Sequence, residues 1–125
     1  ARRRRPDLCL LNGYEFQCVQ YLTAGYDGLL LGGGVFNGYI AAKIFECVRL
    51  GDIRKAEQLQ VKMNNIMWAV YGGKKIACWL AGEKHLLVRM GIFRTHFNYP
   101  NYQLTTARRR SIERVLKQHR DLLLP

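Results

Sequence analysis

Two glycine-bearing stretches carry the residues that could take part in chemistry. The tripeptide Gly-Tyr-Glu at positions 13–15 follows the apolar run Leu8–Leu11, and three glycines at positions 32–34 follow the apolar run Leu29–Leu31. Gly13 permits a positive φ or a close approach of the backbone to a ligand. Successive glycines after a strand leave backbone N–H groups free to face a bound anion. Both stretches are therefore candidate parts of a binding site.

The surrounding pattern predicts how these stretches are positioned. Each apolar run is short and is followed by a loop and then by a helical pattern, which is typical of βαβ units in a parallel sheet. We therefore interpret Leu8–Leu11 and Leu29–Leu31 as buried parallel strands. In such sheets the substrate binds beyond the carboxyl ends of the strands. The residues expected to contact a substrate are Gly13, Tyr14, Glu15, Gly32 and Gly33.

The glycine triplet admits two interpretations, and the triplet alone does not decide between them. It precedes a helix that begins near Val35, so it could hold an anion or a carboxylate at a helix N-terminus. It could equally be a tight turn from strand to helix with no ligand. No Lys-Ser or Lys-Thr pair follows the glycines, so the segment is not a P-loop, and it does not fit the dinucleotide-binding G-x-G-x-x-G pattern.

The rest of the chain is predicted to be mainly helical, because apolar residues recur at three- and four-residue spacing. The predicted helices cover residues 15–24, 36–50, 53–71, 74–90 and about 105–124, with an irregular, aromatic-rich stretch over 93–104. Gly82, inside the fourth of these helices, suggests close packing against a neighbour. Two strands cannot form an independent parallel sheet. The pattern therefore favours the end of a larger α/β barrel.

Length and composition bound the class of protein. A chain of 125 residues has room for one domain with a core, and its 49% hydrophobic content argues against disorder. No apolar run is long enough to span a membrane, and no hydrophobic leader follows Ala1, so we expect neither a membrane span nor a signal peptide. The start at Ala1 and the abrupt run of arginines suggest a piece of a longer or processed chain.

The formal net charge of +11 permits nucleic acid, an anionic surface or an anionic substrate as partner. The charge is concentrated in the clusters Arg2–Arg5 and Arg108–Arg110. We favour two solvated helix ends, because neither cluster interleaves aromatic residues with the basic ones or belongs to a known nucleic-acid-binding module. A non-catalytic basic helical module that binds nucleic acid remains an alternative.

The four cysteines are widely spaced, lie in apolar patterns and include no C-x-x-C pair. They are Cys9, Cys18, Cys47 and Cys78. A zinc site and a disulfide framework are therefore not expected. We interpret these cysteines as reduced and buried, which fits a cytosolic protein.

Several segments, taken in order, resemble the C-terminal part of the dihydrodipicolinate synthase and N-acetylneuraminate lyase family. They are LLNGYEF, AGYDGLLLGGG, the Arg-Leu-Gly-Asp after the next helix, and KAEQLQ. Their order and spacing fit together over nearly the whole chain, and the Asn-Gly-Tyr-acid run is most similar to sialic acid lyases and sugar-acid aldolases. The resemblance implies an α/β fold: the last two βα units of a TIM (β/α)8 barrel over residues 1–50, and a C-terminal helical extension over residues 51–125.

The resemblance also implies a chemistry. Family members are class I aldolases and dehydratases of 2-oxo acids, in which a lysine on the sixth strand forms a Schiff base with the substrate. That lysine cannot be mapped here, because the chain would begin after its strand. The lysines considered as substitutes follow no predicted strand and are expected on surfaces; they are Lys43, Lys74, Lys75 and Lys84. We therefore expect no catalytic residue in this chain, and an inactive segment in isolation.

Two departures from the family bear on the substrate. The lyases carry two acids after the tyrosine, whereas this chain has Glu15 and then Phe16, so one acceptor for substrate hydroxyls is lost and sialic acid itself is disfavoured. Only glycines stand where the family often has Ser or Thr after the eighth strand. The resemblance implies a small 2-oxo acid or sugar acid such as pyruvate plus an aldehyde, a cytoplasmic homo-oligomer (tetramer or dimer), no cofactor and no metal. An alternative is a segment that completes another chain's barrel. The sugar acid, and cleavage against dehydration, stay open.

Overall fold

The fold places two strands at the start of the chain and wraps them with helices. A computed structural model describes residues 3–96 and 103–124 of the chain. The elements in order are β1 (Leu11–Asn12), a 3-10 turn (Glu15–Gln17), α1 (Cys18–Thr23), β2 (Gly28–Leu29), α2 (Gly34–Arg49), α3 (Ile53–Tyr71), α4 (Trp79–Arg89) and α5 (Thr106–His119).

The two strands pair in parallel, as predicted, with Leu11 opposite Gly28 and Asn12 opposite Leu29. The pairing continues one step beyond each end, because the Asp27 N–H donates to the Leu10 carbonyl at 2.8 Å and the Leu30 N–H donates to the Asn12 carbonyl at 2.9 Å. Both strands are shorter than the apolar runs. Within residues 3–96 and 103–124 the sheet contains only these two strands. Its ladder of hydrogen bonds therefore extends only over the residues that lie opposite each other in the two segments.

The prediction that both apolar runs are buried is wrong for part of each run. Leu11 is 48% exposed and Leu30 is 71% exposed. Their side chains lack a covering layer in the described part of the chain, whereas the helices cover the opposite side. One face of this small sheet is therefore apolar and open.

The core lies between α2 and α3, with α1 packed beside them. Phe36, Ile40 and Ile44 recur every four residues on α2 and are fully buried, and they meet Met63 and Met67 of α3. This spacing puts one apolar stripe of each helix against the other. The core therefore fixes α3 relative to the two strand-to-helix units.

The third long helix, α3, has the bounds predicted from sequence, because both of its ends are set locally. The Asp52 carboxylate accepts a hydrogen bond from the Lys55 N–H at 3.1 Å, and Gly72 ends the helix with φ of 86°. An aspartate N-cap and a left-handed glycine are start and stop signals of a helix that can be recognised in the sequence.

The helix predicted over 74–90 begins later, at Trp79, because residues 72–78 form turns. Gly72 and Gly73 both have positive φ there. The expectation that Gly82 packs closely is confirmed: a Cβ at this position would lie 1.8 Å from the carbonyl oxygen of Val70. Only glycine lets α4 rest on the end of α3.

Two further predicted helices differ at their ends. The segment expected to be helical over 15–24 is a 3-10 turn followed by α1, and α5 ends at His119 rather than near Leu124. Part of the irregular stretch predicted over 93–104 lies outside the described residues, namely 97–102, as does Arg2 of the first basic cluster.

The arginine clusters lie at the surface in so far as the structure describes them. Arg3, Arg4, Arg109 and Arg110 are exposed, whereas Arg108 is half-buried and its Nη1 donates to the Ala77 carbonyl at 3.4 Å. The solvated interpretation of these clusters is consistent with this exposure.

The cysteines are free thiols. Cys18, Cys47 and Cys78 are buried as expected, but Cys9, which precedes β1, is exposed. Across residues 3–96 and 103–124, every helix is too short or too polar to cross a bilayer.

Candidate active-site wall

The carboxyl ends of β1 and β2 bring Glu15 directly onto the glycine triplet. The Glu15 Oε2 accepts a hydrogen bond from the Gly33 N–H at 2.8 Å, and its Oε1 accepts one from the Tyr71 hydroxyl at 2.9 Å. Glu15 is buried. One carboxylate therefore joins three segments: the loop after β1, the loop after β2, and the end of α3.

The loop after β1 is shaped to deliver Glu15 inward. The buried Asn12 side chain accepts from the Tyr14 N–H at 2.8 Å and donates to the Tyr14 carbonyl at 2.9 Å, which folds the chain back at Gly13. Gln60 of α3 then donates to the Glu15 carbonyl at 3.0 Å. Glu15 is thus held through its backbone as well as its carboxylate.

The glycine at position 33 is required by packing. A Cβ there would lie 2.6 Å from the Tyr71 hydroxyl oxygen and 2.8 Å from both the Glu15 Oε2 and the Asn37 Nδ2. The φ of Gly33 is −74°, which any residue can adopt. Glycine is therefore needed at this position for the space it leaves.

The two interpretations of the glycine triplet meet in this geometry. The Gly33 N–H does face an anion at the start of α2, and that anion is the Glu15 carboxylate of the chain itself. The Gly34 N–H donates to the Leu31 carbonyl at 3.2 Å, as in a tight turn. Gly32 is exposed, and a Cβ built at this position would lie 4.0 Å from the ring of Trp79.

The Glu15 carboxylate raises the pKa of the acidic groups around it. Burial first, and then the charge of Glu15, raise the pKa of Glu83 from its ordinary 4.5 to about 7. The same two causes, in the same order, raise the pKa of Cys18 to about 12 and raise the pKa of Tyr71. The two groups that donate hydrogen bonds to the Glu15 carboxylate, the Gly33 N–H and the Tyr71 hydroxyl, are both neutral.

Asn37 and Tyr71 belong to this cluster but were not predicted from the sequence. The Asn37 side chain is fully buried, and among the described residues neither its Oδ1 nor its Nδ2 has a hydrogen-bond partner. A signal existed for both residues. Asn37 precedes Ile40, Ala41 and Ile44 at the spacing of the buried face of α2, and Tyr71 follows Met67 by four residues on α3. A polar residue on the apolar, buried face of a helix is unusual and therefore marks a candidate functional residue.

The predicted substrate contacts fall into two groups. Glu15 and Gly33 are buried and touch each other, whereas Gly13, Tyr14 and Gly32 are exposed around them. Tyr14 is 52% exposed. The arrangement therefore offers an exposed rim of backbone and one aromatic hydroxyl, backed by a buried carboxylate.

Three of the four lysines considered as substitutes are exposed, and the described residues hold no group of metal ligands. Lys43, Lys74 and Lys75 are exposed as expected, and Lys84 is half-buried with its Nζ 5.6 Å from the ring centre of Phe93. Within the described ranges 3–96 and 103–124, no three side chains of His, Cys, Asp or Glu come together as a metal site requires.

Comparison with known sequences identifies the family. A profile of the dihydrodipicolinate synthetase family matches residues 1–119. Over 96 residues the chain is 36% identical to N-acetylneuraminate lyase 2 of Escherichia coli, covering 75% of this chain and 30% of that protein. It is 33% identical over 95 residues to N-acetylneuraminate lyases of Salmonella paratyphi B and Salmonella newport, covering 74% of this chain and 26% of each of them. The chain thus spans 30% or less of the length of these relatives.

Solved structures share the fold. N-acetylneuraminate lyase from Fusobacterium nucleatum superposes with a TM-score of 0.80 at 18% identity, covering 99% of this chain and 40% of that one, and its complex with pyruvate gives 0.80 at 19% identity with 94% and 38% covered. Dihydrodipicolinate synthase from Bacteroides thetaiotaomicron gives 0.79 at 22% identity, covering 94% of this chain and 40% of that one. The mixed helix and sheet architecture is that of a part of these TIM barrels. The resemblance found in the sequence is confirmed, and the chain belongs to the dihydrodipicolinate synthetase family.

Proposed function

We propose that this chain is the C-terminal segment of a Schiff-base-forming 2-oxo acid lyase, an aldolase or dehydratase that acts on a sugar acid. Residues 1–50 are its last two βα units and residues 51–125 its C-terminal helical region. The observation that carries the proposal is the contact of Glu15 with Gly33, at 2.8 Å, beyond the carboxyl ends of two parallel strands. That end of the strands is where substrates bind in α/β barrels.

The electrophilic step belongs outside this chain in our proposal. A Schiff base between a lysine and the oxo carbon acts as an electron sink, so that the neighbouring C–C or C–O bond can break. None of the four lysines weighed above follows either strand. We therefore assign the reactive amine to a part of the protein that precedes residue 1, and assign no catalytic residue to this segment.

The role of this segment is to form one wall of the substrate pocket, lined by Gly13, Tyr14, Glu15, Gly32 and Gly33. Each carboxylate oxygen has a second lone pair, so Glu15 can still accept a hydrogen bond from a substrate hydroxyl while it holds Gly33 and Tyr71. Phe16 stands where a second acceptor would serve a more heavily hydroxylated tail. This favours a sugar acid with fewer tail hydroxyls than sialic acid.

The small-molecule partners in this proposal are pyruvate and an aldehyde, or the 2-oxo sugar acid that yields them. A relative with the same fold has been solved with pyruvate bound, which supports this class of ligand. We further propose a cytoplasmic homo-oligomer, a tetramer or a dimer, as the family resemblance implies.

Reductive trapping tests the proposal. The chain and any longer polypeptide that contains it are incubated with pyruvate and borohydride, and adducts are mapped by mass spectrometry. We expect no adduct on residues 1–125 and one adduct on a lysine upstream of them. An adduct within residues 1–125 would contradict the assignment of the amine, and a longer polypeptide that gives no adduct would refute lyase chemistry altogether.

A second candidate function is the completion of a barrel formed by another chain or by a second copy. A groove of about 400 Å³ lies between β2 and α2. It is lined by apolar residues and glycines: Gly28, Leu29, Leu31, Gly34, Gly38, Ala41, Ala42 and Phe45. Exposed apolar surface of this kind drives association. Sedimentation equilibrium that showed a stable monomer at high protein concentration would exclude self-association.

A further inference from the structure

A second cavity, of about 350 Å³, opens beside the loop after β1 and has a lining unlike that of the apolar groove. Its walls come from this loop, from α3 and from the turns between α3 and α4. Tyr14 and Phe16 supply one wall, Trp68 another, and Lys74 and Ile76 the third. Glu15 lies between Tyr14 and Phe16 in the sequence but does not line this cavity, because its carboxylate binds the Gly33 N–H.

The aromatic side chains form a built platform in this cavity. Phe16 stacks on Trp68 with ring centres 6.0 Å apart and planes 17° from parallel, and Tyr14 packs on Phe16 at 5.9 Å. The backbone under Phe16 is also fixed, because the Asn64 Nδ2 donates to the Phe16 carbonyl at 3.1 Å. A planar apolar group fits such a platform without rearrangement of its walls.

A cation stands at the edge of the same platform. The Lys74 Nζ lies 5.1 Å from the ring centre of Trp68. In the part of the chain that the structure describes, Lys74 forms no ion pair with an acidic side chain. An ammonium that is held over an aromatic ring without a carboxylate partner favours an incoming anion.

Backbone strain marks the third wall. Ile76 has φ of +49° and is the only non-glycine residue with positive φ among residues 3–96 and 103–124. A β-branched residue in this region is strained, and such strain concentrates at ligand sites. Ile76 nevertheless leaves a large part of its side chain exposed, facing the cavity that it lines.

From these three independent features we propose that the cavity is a binding site for a small carboxylate with a planar apolar body. The ring of the ligand stacks beside Trp68 and Tyr14, Ile76 closes the apolar side, and the carboxylate pairs with the Lys74 ammonium. Of the described residues, one lysine and no arginine line the cavity, which suits a singly charged carboxylate better than a phosphate. The site shares Tyr14 with the proposed substrate wall, but it requires neither a Schiff base nor residues upstream of the chain, so its test is separate from that of the lyase proposal.

A pair of isosteric probes tests the charge. Binding of 2-naphthoate and of neutral 2-naphthamide is followed by the fluorescence of Trp68 in a Trp79→Phe background, since the chain contains only these two tryptophans. We expect Lys74→Met to weaken 2-naphthoate by about tenfold, the loss of one charge-assisted contact, and to leave 2-naphthamide unchanged. Lys75→Met is the matched control, because Lys75 is the exposed neighbour outside the cavity lining, and it should change neither probe.

A second variant tests the apolar wall. Ile76→Gly removes the side chain and suits the positive φ, so the fold tolerates it. We expect it to weaken both probes alike. The proposal is overturned if 2-naphthoate shows no saturable binding in the millimolar range, if Lys74→Met and Lys75→Met weaken it equally, or if Ile76→Gly leaves both probes unchanged.

Discussion

The two sides of the strand pair differ in how completely the chain closes them. On the side of the carboxyl ends, Glu15 joins Gly33 and Tyr71 through two hydrogen bonds shorter than 3 Å, and side chains of α3 hold the loop from behind. On the open face, Leu11 and Leu30 expose apolar side chains. The chain therefore builds its polar wall alone but leaves its apolar face uncovered.

The two regions differ in what determines their geometry. The polar wall depends on contacts among residues of this chain, so its geometry is a property of the segment. The open face depends on whatever packs against the strands, whether an earlier part of the same protein or a second chain. Changes in the polar wall should accordingly alter stability, whereas changes in the open face should alter association.

The largest effect is expected from Gly33→Ala. Its Cβ would meet three polar atoms within 2.8 Å, so overpacking should lower the free energy of unfolding by about 3 kcal/mol. Gly34→Ala is the matched control: a Cβ there meets nothing within 4 Å, and alanine should raise stability slightly at this helical position. Urea unfolding followed by circular dichroism measures both, and equal stability of the two variants would show that the wall is loosely packed.

Glu15→Ala should cost about 2 kcal/mol, because it leaves the buried Gly33 N–H and Tyr71 hydroxyl without their partner. Glu15→Gln should cost less, since its amide can accept from Gly33 and donate to the Tyr71 oxygen. The exposed Glu57→Ala on α3 serves as the control. If Glu15→Ala proves as stable as Glu57→Ala, Glu15 does not join the three segments.

The raised pKa of Glu83 predicts a pH dependence within the polar wall. Between its ordinary value of 4.5 and its folded value of about 7 the folded chain keeps a proton that the unfolded chain loses, so its contribution to stability is present below pH 4.5 and is lost as pH rises to 7. After allowance for solvent screening, this amounts to about 1 kcal/mol. His85, whose pKa is lowered chiefly by burial, gives the opposite slope.

The difference between the wild-type chain and Glu83→Gln isolates this contribution. The variant should gain stability relative to wild type from pH 4.5 to 7, and the gain should shrink in a Glu15→Gln background because Glu15 is the second cause of the shift. Unfolding midpoints measured across this pH range check both statements. A constant difference between the two chains would argue against a titrating Glu83.

The smallest effect on stability is expected at the open face. Leu30→Ser should change the free energy of unfolding by no more than about 0.5 kcal/mol, since the side chain is already exposed. It should nevertheless weaken self-association in sedimentation equilibrium. Leu50→Ser is the control, because Leu50 is 78% exposed but lies at the end of α2, away from the open face of the sheet. Identical association of both variants would show that the open face takes no part in self-association.

How far the sequence predicts this fold depends on whether each signal is local. The ends of α3 were predicted correctly because Asp52 and Gly72 act on their own helix. The predicted start of α4 was wrong because the turns over residues 72–78 are set by packing of Gly72 and Gly82 against residues of other elements. The predicted strand lengths were wrong because a strand extends only as far as its partner strand does. The apolar runs do not reveal how far that partner extends.

The candidate site shows the same limit. The pattern of parallel strands and the family resemblance both predicted Glu15 and the glycines near one another, and Glu15 and Gly33 do touch. The partner that completes the wall, Tyr71, lies 56 residues away from Glu15 in the chain, and no local pattern links the two. The exposure of Leu30 could not be predicted from the sequence either, because burial depends on what covers a strand and not on the strand alone.

A crystal structure of the longer polypeptide, trapped with pyruvate and borohydride, tests the proposed role of this segment most directly. The account predicts that the reduced adduct extends from a lysine upstream of residue 1 into a pocket lined by Tyr14, Gly32 and the Glu15–Gly33 pair. An adduct whose carbon atoms lie away from these residues would contradict it.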